Sequence, residues 1–441
     1  MQRSLDILLL CNRPARNADA STVTDHLDAF GRFSRHRVTL VSFLRELPAG
    51  LDLNRFDVVV IHYTIAIGYL SAHYISPAAK ARVKDFRGLK VAFIQDEYRA
   101  VDVVVDALEH MGVDLLFTCV PDGEIAKVYQ PGRLPNLRAV NNLTGYVPEP
   151  LLAYPAPPVM ARDIDIGYRT RRPPYWLGAL SVEKWRIADA FNARCAGLGL
   201  ATDISYHEGD RLYGDAWTRF ITRCRAMLGV ESGASVFDFK GDLQQRVDEY
   251  VAGHPQASFE EVQEKFLRPY EGLIRLNQIS PRCFEAAALR TPMILFEGEY
   301  SGVLVPGRHY LALRKDYGNF DEIIDAVRDH RRLQALADCA YEEVARNPAW
   351  SYRRFIETFD AEVEREIGVR DKRSRLPSYS AAGFGLALAR SPGWVAHRAV
   401  SITAQRILLG TGLRKLIFGL WGRVPLSGRQ IIRPFLRLIG R

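Results

Sequence analysis

The sequence predicts an α/β protein of two Rossmann-like domains that face each other across a cleft, followed by a basic helical tail. Short apolar runs alternate with amphipathic, helix-like stretches in both halves of the chain, which is typical of βαβ units in doubly wound sheets. Between the halves, five prolines fall within the eleven residues 148–158, so no regular element fits there. The predicted units are domain 1–146, linker 147–162, domain 163–369 and tail 370–441.

Composition narrows the class of protein before any motif is considered. The chain has 441 residues, of which 48% are apolar, which excludes collagen-like and broadly disordered proteins. Of the net charge of +8, residues 370–441 carry +13 and the remaining 369 residues carry −5. The six cysteines are scattered and no secretory signal pattern is present, so we expect a cytoplasmic protein.

The first half contains apolar runs that are typical of buried parallel strands, with helix-like stretches between them. The predicted strands are Ile7–Cys11, Val38–Phe43, Val58–His62, Val91–Gln95 and Leu115–Val120, and the predicted helices include Thr22–Arg32 and Val101–Met111.

The same alternation restarts at Asp163. The predicted strands are Ile164–Gly167, Asp203–Tyr206, Ala226–Val230, Ser235–Phe237 and Met293–Phe296. The predicted helices are Ser181–Leu198 with Ser181 as N-cap, Phe259–Leu273, Pro281–Ala288, Phe320–Asp329, Arg331–Ala345 and Ser351–Ile367. Ligands in such folds bind at the carboxyl ends of the strands.

The start of the helix at Pro281 is the most informative segment. Ser280 is a favourable N-cap and Pro281 a favourable first residue, so free N–H groups make an anion site there, beside the positive charge of Arg282. Glu285 follows one turn later on the same face, where a carboxylate accepts hydrogen bonds from sugar hydroxyls. The spacing alone is also consistent with a capped helix whose Arg282 and Glu285 form a surface pair.

A family resemblance is carried by S-P-R-C-F-E-A-A-A at 280–288, T-P-M-I-L-F at 291–296 and the segment Val303–Tyr310. These motifs resemble the donor-binding half of GT-B glycosyltransferases, in particular the bacterial "glycosyl transferases group 1" relatives that include spore-maturation-type proteins. The resemblance implies that Glu285 binds the ribose of a nucleotide-sugar and that the preceding turn, with Ser280 and Arg282, holds the diphosphate. Asn277 is a further donor-binding candidate, at a position where many relatives have a second Glu.

Further donor-side candidates follow predicted strands of the second domain. Arg169 and Arg172 suit a diphosphate, although a solvated basic loop is equally consistent with them. His207 and Glu208 also follow a strand and are candidates for the wall of the cleft. Ser232 and Gly233 resemble a family loop whose backbone faces the nucleotide, or else form a plain turn.

Acceptor-side candidates follow strands of the first domain. Sugar transfer needs a general base for the acceptor hydroxyl. His62 is at the end of a predicted strand, and Asp96 and Glu97 follow the next one. We favour Asp96, with His62 as the rival; a helix N-cap and a hydrogen-bonded strand-end histidine are the alternatives. Asn12 and Arg13 occupy the place of the family's acceptor-side loop.

No metal or cofactor is expected. Asp163-Ile164-Asp165 matches a D-x-D metal motif, but both acids open a strand rather than follow one, and GT-B relatives generally need no protein-bound metal. The nucleotide-sugar is expected as a substrate, with a glycan or lipid-linked acceptor.

The tail ends in an amphipathic pattern at 429–441, with Arg429, Arg433, Arg437 and Arg441 on one face. This pattern predicts peripheral attachment to an anionic membrane surface. Packing on the body and an RNA-binding tail are the alternatives; few aromatic residues are available for stacking on bases, so we expect no nucleic-acid partner.

The sequence therefore predicts a metal-independent glycosyltransferase, of hexosyltransferase type, at the inner face of the cell membrane. It would act in the assembly of a bacterial surface polysaccharide, lipopolysaccharide or glycolipid. Two alternatives stay open: a nucleotide-sugar epimerase of the same fold, and a non-catalytic membrane scaffold that binds the nucleotide-sugar.

Overall fold

The computed structural model describes residues 4–14, 19–369, 376–391 and 394–395. The strands of the first domain are β1 (Asp6–Cys11), β2 (Arg37–Ser42), β3 (Val58–Ile61), β4 (Leu89–Ile94), β5 (Leu115–Thr118) and β6 (Arg138–Asn141). Those of the second domain are β7 (Ile164–Arg169), β8 (Thr202–Ser205), β9 (Cys224–Gly229), β10 (Ser232–Ala234), β11 (Leu276–Gln278), β12 (Met293–Phe296) and β13 (Leu311–Leu313).

The helices alternate with these strands as the sequence predicts, except that a short helix at Glu149–Leu152 lies in the proline-rich stretch where no regular element was expected. Its proline occupies the first turn, where a helix tolerates proline. The helices are α1 (Ser21–Phe33), α2 (Pro77–Lys84), α3 (Val101–Met111), α4 (Asp122–Val128), α5 (Glu149–Leu152), α6 (Ala179–Arg194), α7 (Gly214–Arg223), α8 (Asp242–Gly253), α9 (Phe259–Val262), α10 (Pro281–Ala288), α11 (Phe320–Arg328), α12 (His330–Ala340), α13 (Tyr352–Val369) and α14 (Ala381–Ala389).

Each domain is built on a parallel sheet. The first sheet has six strands in the order β2-β1-β3-β4-β5-β6, and the second has five in the order β13-β12-β9-β7-β8. The central strands are mostly apolar, and β3 (VVVI) is buried along its whole length, because helices cover both faces of the sheet. The predicted fold class is confirmed: two Rossmann-like α/β domains face each other across a cleft.

Several predicted boundaries are wrong for identifiable reasons. The strand predicted at 235–237 lies earlier, as β10, which pairs antiparallel with β11. Ser181 is not the N-cap of α6, because the helix already begins at Ala179 after Gly178. The helix predicted at 259–273 leaves regular α-geometry after Val262, where a π-helical turn (Gln263–Leu267) follows.

Helix α13, the last helix of the predicted second domain, packs on the first domain. The apolar stripe of α13 includes Phe355 and Phe359, and the ring centroid of Phe359 lies 5.0 Å from that of Phe30 on α1. The carboxylate of Asp360 accepts hydrogen bonds from the Ser34 hydroxyl at 2.8 Å and the Arg35 N–H at 2.9 Å. The unit predicted as 163–369 thus returns to the first domain over α13, since the stripe is buried by that domain's core.

The described start of the tail is also attached to the first domain. The Tyr379 hydroxyl accepts a hydrogen bond from the Asp52 N–H at 2.8 Å, and Arg55 donates to the Pro377 carbonyl at 2.9 Å. The amphipathic segment predicted at 429–441 lies outside the described residues. Within the described ranges, no helix is both long and apolar enough to cross a bilayer.

Candidate functional site

A cavity of about 410 Å³ lies between the two domains, at the carboxyl ends of their strands. Its first-domain wall includes Ala20–Val23, Tyr63, Gln95, Asp96, Tyr98, Cys119 and Thr144. Its second-domain wall includes Tyr168–Arg171, Lys184, Arg211–Gly214, Trp217, Val230, Ser232, Gly233, Leu276, Gln278, Ser280–Arg282 and Glu285.

The domains meet closely beside this cavity. The Gln278 side-chain amide donates to the Cys119 carbonyl at 2.6 Å, and the Thr144 hydroxyl donates to the Ile279 carbonyl at 2.7 Å. A Cβ placed on Gly145 would lie 3.1 Å from the Pro281 ring. Glycine at 145 therefore permits the close approach of the first domain to the start of α10.

The start of α10 faces the cavity, as the sequence predicts. Ser280 has the extended conformation of an N-cap (φ −78°, ψ 139°), but its side chain caps no N–H of the helix. Pro281 occupies the first turn, which holds no acidic residue. The hydroxyl of Ser280 and the positive end of the helix are therefore available to an anion in the cavity.

Glu285 lies on the cavity wall and is almost fully buried. Its Oε2 accepts a hydrogen bond from the indole N–H of Trp217 at 2.8 Å. Burial raises the pKa of Glu285 to about 7, whereas the Trp217 hydrogen bond and the charge of Arg282 lower it. The carboxylate is thus anchored through one oxygen, which leaves the other for hydroxyl groups of a ligand.

Cations dominate the second-domain wall. Arg169, Arg171, Lys184, Arg211 and Arg282 all line the cavity. Burial, together with the charge of Arg171, lowers the pKa of Lys184 to about 8. The charge of Asp96 opposes this shift. Positive charges that crowd together in this way favour an anionic ligand, because each charged form is stabilised by a neighbouring negative group.

Arg282 lies between two aromatic side chains of the wall. Its guanidinium lies 5.3 Å from the ring centroids of both Tyr168 and Trp217. Its Nε is buried and has no hydrogen-bond partner in the described part of the chain. A buried guanidinium nitrogen without a partner indicates a ligand acceptor at this point of the wall.

The two arginines predicted as phosphate ligands have different positions. Arg169 lines the cavity, but its guanidinium is also engaged by the Asp203 carboxylate at 2.7 Å. Arg172 lies outside the cavity, where it stacks 4.5 Å from the Trp185 ring and donates to the Tyr175 hydroxyl. Arg171, between them, reaches the cavity instead.

Ser232 and Gly233 line the cavity on β10. Gly233 has a φ of +112°, and a Cβ at this position would lie 1.7 Å from the Leu276 carbonyl oxygen. Glycine is therefore required for β10 and β11 to pair so closely. Asn277, the other residue predicted here, does not line the cavity, because its amide donates to the buried Glu231 carboxylate at 2.7 Å.

His207 and Glu208 are exposed and do not line the cavity. The Glu208 carboxylate pairs with Arg211 at 2.9 Å, in the turn that follows β8. Their position after β8 does put both residues at the carboxyl edge of the sheet, but their side chains are exposed to solvent. We therefore exclude both from the donor site.

On the first-domain wall, Asp96 is an exposed carboxylate on the loop after β4. Its backbone has a φ of 58°, a left-handed conformation that few non-glycine residues adopt. The Tyr98 hydroxyl donates to its carboxylate at 2.8 Å. The helix N-cap alternative is wrong, since α3 begins only at Val101.

His62 is not a cavity residue. It is fully buried, its Nδ1 accepts from the Thr64 N–H at 3.2 Å, and its Nε2 lies 2.9 Å from Nδ1 of the equally buried His26. The hydrogen on Nε2 is therefore the one shared with His26. Burial lowers the pKa of both histidines, so the structure favours the hydrogen-bonded strand-end interpretation over the role of acceptor base.

Glu97 is likewise buried behind the wall. Its Oε1 accepts hydrogen bonds from the hydroxyls of Thr118 at 2.5 Å and Tyr129 at 3.0 Å. Burial raises the pKa of this carboxyl to about 8. Of this adjacent pair, only Asp96 lies on the cavity wall.

Asn12 and Arg13 do not line the cavity. The Asn12 N–H donates to the Thr64 hydroxyl at 3.0 Å, and Arg13 forms a two-pronged ion pair with Asp28 at 2.6 and 2.9 Å. The start of α1, at Ala20–Val23, occupies the cavity wall instead. No motif in the sequence marks this helix end, because neither a side-chain cap nor an acidic first turn is present.

Two groups of side chains contain residue types that bind metal ions. Asp163 and Asp165, the predicted D-x-D, pair with Arg223 and Arg225 respectively. His309, Cys339 and Glu343 place ligand atoms within 4.8 Å of one another. However, Glu343 already forms an ion pair with Arg308, and its carboxylate lies 2.9 Å from Nε2 of His309. Its negative charge is therefore compensated without a metal.

Two parallel sheets whose carboxyl ends meet at one cavity form the GT-B arrangement that the sequence resemblance implies. No protein-family model and no curated protein matches the sequence.

Several solved structures are similar to this chain, with low sequence identity and low TM-scores. An alpha-glucosyltransferase in complex with UDP-glucose and DNA is 13% identical, with a TM-score of 0.47 over 81% of this chain and 99% of the other. Anabaena HepE in complex with UDP-glucose is 10% identical, with a TM-score of 0.44 over 83% and 100%. TarM is 9% identical, with a TM-score of 0.40 over 69% and 54%. These values are too low to assign an activity to this chain.

Proposed function

We propose that this protein is a glycosyltransferase that moves a sugar from a nucleotide-sugar donor to an acceptor hydroxyl. One observation carries the proposal: a single interdomain cavity has a cation-rich wall with Glu285 on one side and the exposed Asp96 carboxylate on the other. A diphosphate, a ribose and a reacting hydroxyl require these groups.

The donor would bind to the second-domain wall. Arg171, Lys184 and Arg282, with the start of α10, would hold the diphosphate and stabilise the negative charge that develops on it as the glycosidic bond breaks. The free oxygen of Glu285 would accept hydrogen bonds from the ribose hydroxyls. Trp217 supports this role by fixing the other oxygen of that carboxylate.

The acceptor would bind on the first-domain wall, with Asp96 as the general base. Its carboxylate is exposed on the cavity wall, and the Tyr98 hydrogen bond orients it. With five cations on the opposite wall, the leaving diphosphate would need no metal ion for charge compensation.

We further propose a hexosyl donor, an acceptor that is a bacterial surface glycan or its lipid-linked precursor, and a cytoplasmic, peripheral location. The motif resemblance around Glu285 supports the reaction, and the charge of +13 in residues 370–441 supports an anionic membrane partner. The body of the protein, at −5, offers no general attraction to nucleic acid.

A panel of nucleotide-sugars tests the proposal. A true donor present at 100 times its dissociation constant adds about 2.7 kcal/mol to the free energy of unfolding, which a thermal-shift assay detects. Transfer to glycan and lipid-linked acceptors, with donor hydrolysis measured in parallel, then tests catalysis. Binding without turnover would support the non-catalytic scaffold, and sugar isomerisation without transfer would support the epimerase.

Glu285→Ala is the matched test of the donor site. Loss of charge-assisted hydrogen bonds worth about 1.5–3 kcal/mol each should weaken donor binding by ten- to several-hundredfold. Glu322→Ala is the control, because this exposed carboxylate of α11 lies outside the cavity, and it should change the dissociation constant less than about twofold. Equal effects of the two substitutions would refute the assignment of the site.

A further inference from the structure

The segment that begins the tail forms an apolar surface on the first domain. We define the α14 surface as Leu376, α14 and Val395. α14 has the uncharged sequence AAGFGLALA, of which only Ala387 is buried. Leu376, Leu386 and Val395 are 45%, 53% and 47% exposed. Single exposed leucines are ordinary, but here three large apolar side chains are exposed between residues 376 and 395.

This surface is held in place by the body of the protein. Ser380 caps α14 through a side-chain hydrogen bond from the Gly383 N–H. The Ser391 hydroxyl accepts from the Gly50 N–H at 3.3 Å, and a Cβ on Gly50 would lie 2.4 Å from the Ala387 carbonyl oxygen. Because the buried side of α14 is docked so closely, its apolar opposite side is presented outward.

Charge composition identifies the partner. Residues 376–441 contain ten Lys or Arg and no Asp or Glu, and Arg390 is exposed at the end of α14. An apolar helix joined to cations of one sign fits the boundary of an anionic bilayer, where apolar side chains enter the acyl region and each basic residue gains about 1 kcal/mol near the surface.

The α14 surface lies at the edge of the first sheet opposite the cavity. Ser378 contacts Asp6, the first residue of β1, and Tyr379 contacts Asp52, shortly before β3. The cavity lies at the other ends of the strands, beside Gln95 and Asp96. A six-residue strand such as β4 spans about 20 Å, so the cavity is separated from the α14 surface by at least the length of the sheet.

We propose that the α14 surface docks on an anionic lipid bilayer and directs the cavity away from it. One consequence rests on the proposed function. If the protein transfers a sugar in this cavity, the end of a membrane-bound acceptor would have to reach at least about 20 Å beyond the membrane. A lipid-linked glycan that is already several sugars long meets this requirement, whereas a sugar attached directly to a lipid does not.

Sedimentation of the full-length protein with vesicles tests the docking. Vesicles of phosphatidylcholine with about 30% phosphatidylglycerol should bind the wild type, and Leu376→Ser with Leu386→Ser should lower the partition coefficient about three- to tenfold for each side chain. The control is Leu273→Ser, which changes a leucine that is 62% exposed outside this surface and should bind as the wild type does.

The outcomes separate this inference from the proposed function, because vesicle binding needs no donor. Unchanged binding of the double variant, or no binding of the wild type, would overturn the docking even if sugar transfer to a soluble acceptor is intact. Loss of a dimer in size-exclusion chromatography, without loss of vesicle binding, would assign the surface to a second copy of the chain instead.

Orientation has its own measurement. In a Cys339→Ser background, an environment-sensitive fluorophore is attached at L386C or at E208C, beside the cavity residue Arg211. The emission should shift to shorter wavelength on vesicles only for the label at 386. A comparable shift at 208 would show that the cavity faces the bilayer and would overturn the proposed acceptor length.

Discussion

The two walls of the cavity differ in charge. The second-domain wall carries five cations and the buried Glu285, whereas the first-domain wall is mostly neutral, with Ser21, Thr22, Gln95 and Thr144 around the exposed Asp96. A cationic wall selects an anion by Coulomb attraction, and a neutral polar wall selects hydroxyl groups by hydrogen-bond geometry. The difference suggests that one wall binds the donor tightly and the other positions the acceptor.

Asp96→Asn should produce the largest effect. The amide cannot accept a proton, so the loss of general-base catalysis should lower kcat by about 10²–10⁴-fold. The dissociation constant of the donor should change less than about threefold, because Asp96 lies on the opposite wall. Steady-state transfer kinetics and donor titration measure the two quantities separately.

Glu97→Gln provides the comparison for this variant. Glu97 is the adjacent carboxyl but is buried away from the cavity, so its substitution should lower protein stability rather than kcat. A large loss of kcat in Glu97→Gln, with Asp96→Asn fully active, would reverse the assignment of the base.

The second prediction tests the cationic wall. Arg282→Met keeps the aliphatic bulk between Tyr168 and Trp217 but removes the charge, and should weaken binding of nucleoside diphosphates about ten- to hundredfold. Binding of the corresponding nucleoside should change little, since it has no phosphate. Isothermal titration with both ligands measures the contrast.

Arg172→Met is the matched control, because Arg172 stacks on Trp185 outside the cavity. It should bind the diphosphate as the wild type does. If it loses as much affinity as Arg282→Met, the effect reflects the general positive charge of the domain, and the local geometry of the wall is not responsible.

The sequence predicted the local features of this site better than the spatial ones. The N-terminal signal at Ser280 and Pro281 placed Arg282 and Glu285 correctly on the cavity wall, because both follow from helix geometry within two turns. Lys184 and Trp217 carried no such signal. They lie inside helices whose faces toward the cavity depend on how α6 and α7 pack on the second sheet.

Burial explains the errors at the carboxyl ends of the strands. His62, Asp96 and Glu97 all lie at or just after the ends of their predicted strands, but only Asp96 lies on the cavity wall. The packing of α13 decides this for His62, since Phe355 lies 4.5 Å from its partner His26. A contact between residues more than 300 positions from one another is not visible in local sequence patterns.

Trp217 connects the two charged groups of the donor wall. Its indole N–H donates to Glu285 at 2.8 Å, and its ring faces the guanidinium of Arg282. Trp217 is uncharged and acts through Glu285 and Arg282, so we assign it as a positioning residue. Its hydrogen bond stabilises the ionised form of Glu285, which burial opposes.

Trp217→Phe should therefore shift the pH dependence of donor binding. The pKa of Glu285 is about 7, and loss of the hydrogen bond should raise it by about one unit, since a bond to a charged group is worth about 1.5–3 kcal/mol. In the wild type, donor affinity should fall as the pH drops through about 7. In the variant, the fall should begin at a higher pH, with affinity about fivefold lower at pH 7 and nearly restored at pH 9.

Trp185→Phe is the control, because Trp185 lies outside the cavity and donates no hydrogen bond to Glu285. Its donor affinity should follow the pH profile of the wild type. A Trp217→Phe variant that loses the same affinity at every pH would show that the indole acts only by packing. The contrast between the walls would then depend on charge alone, with no contribution from the protonation state of Glu285.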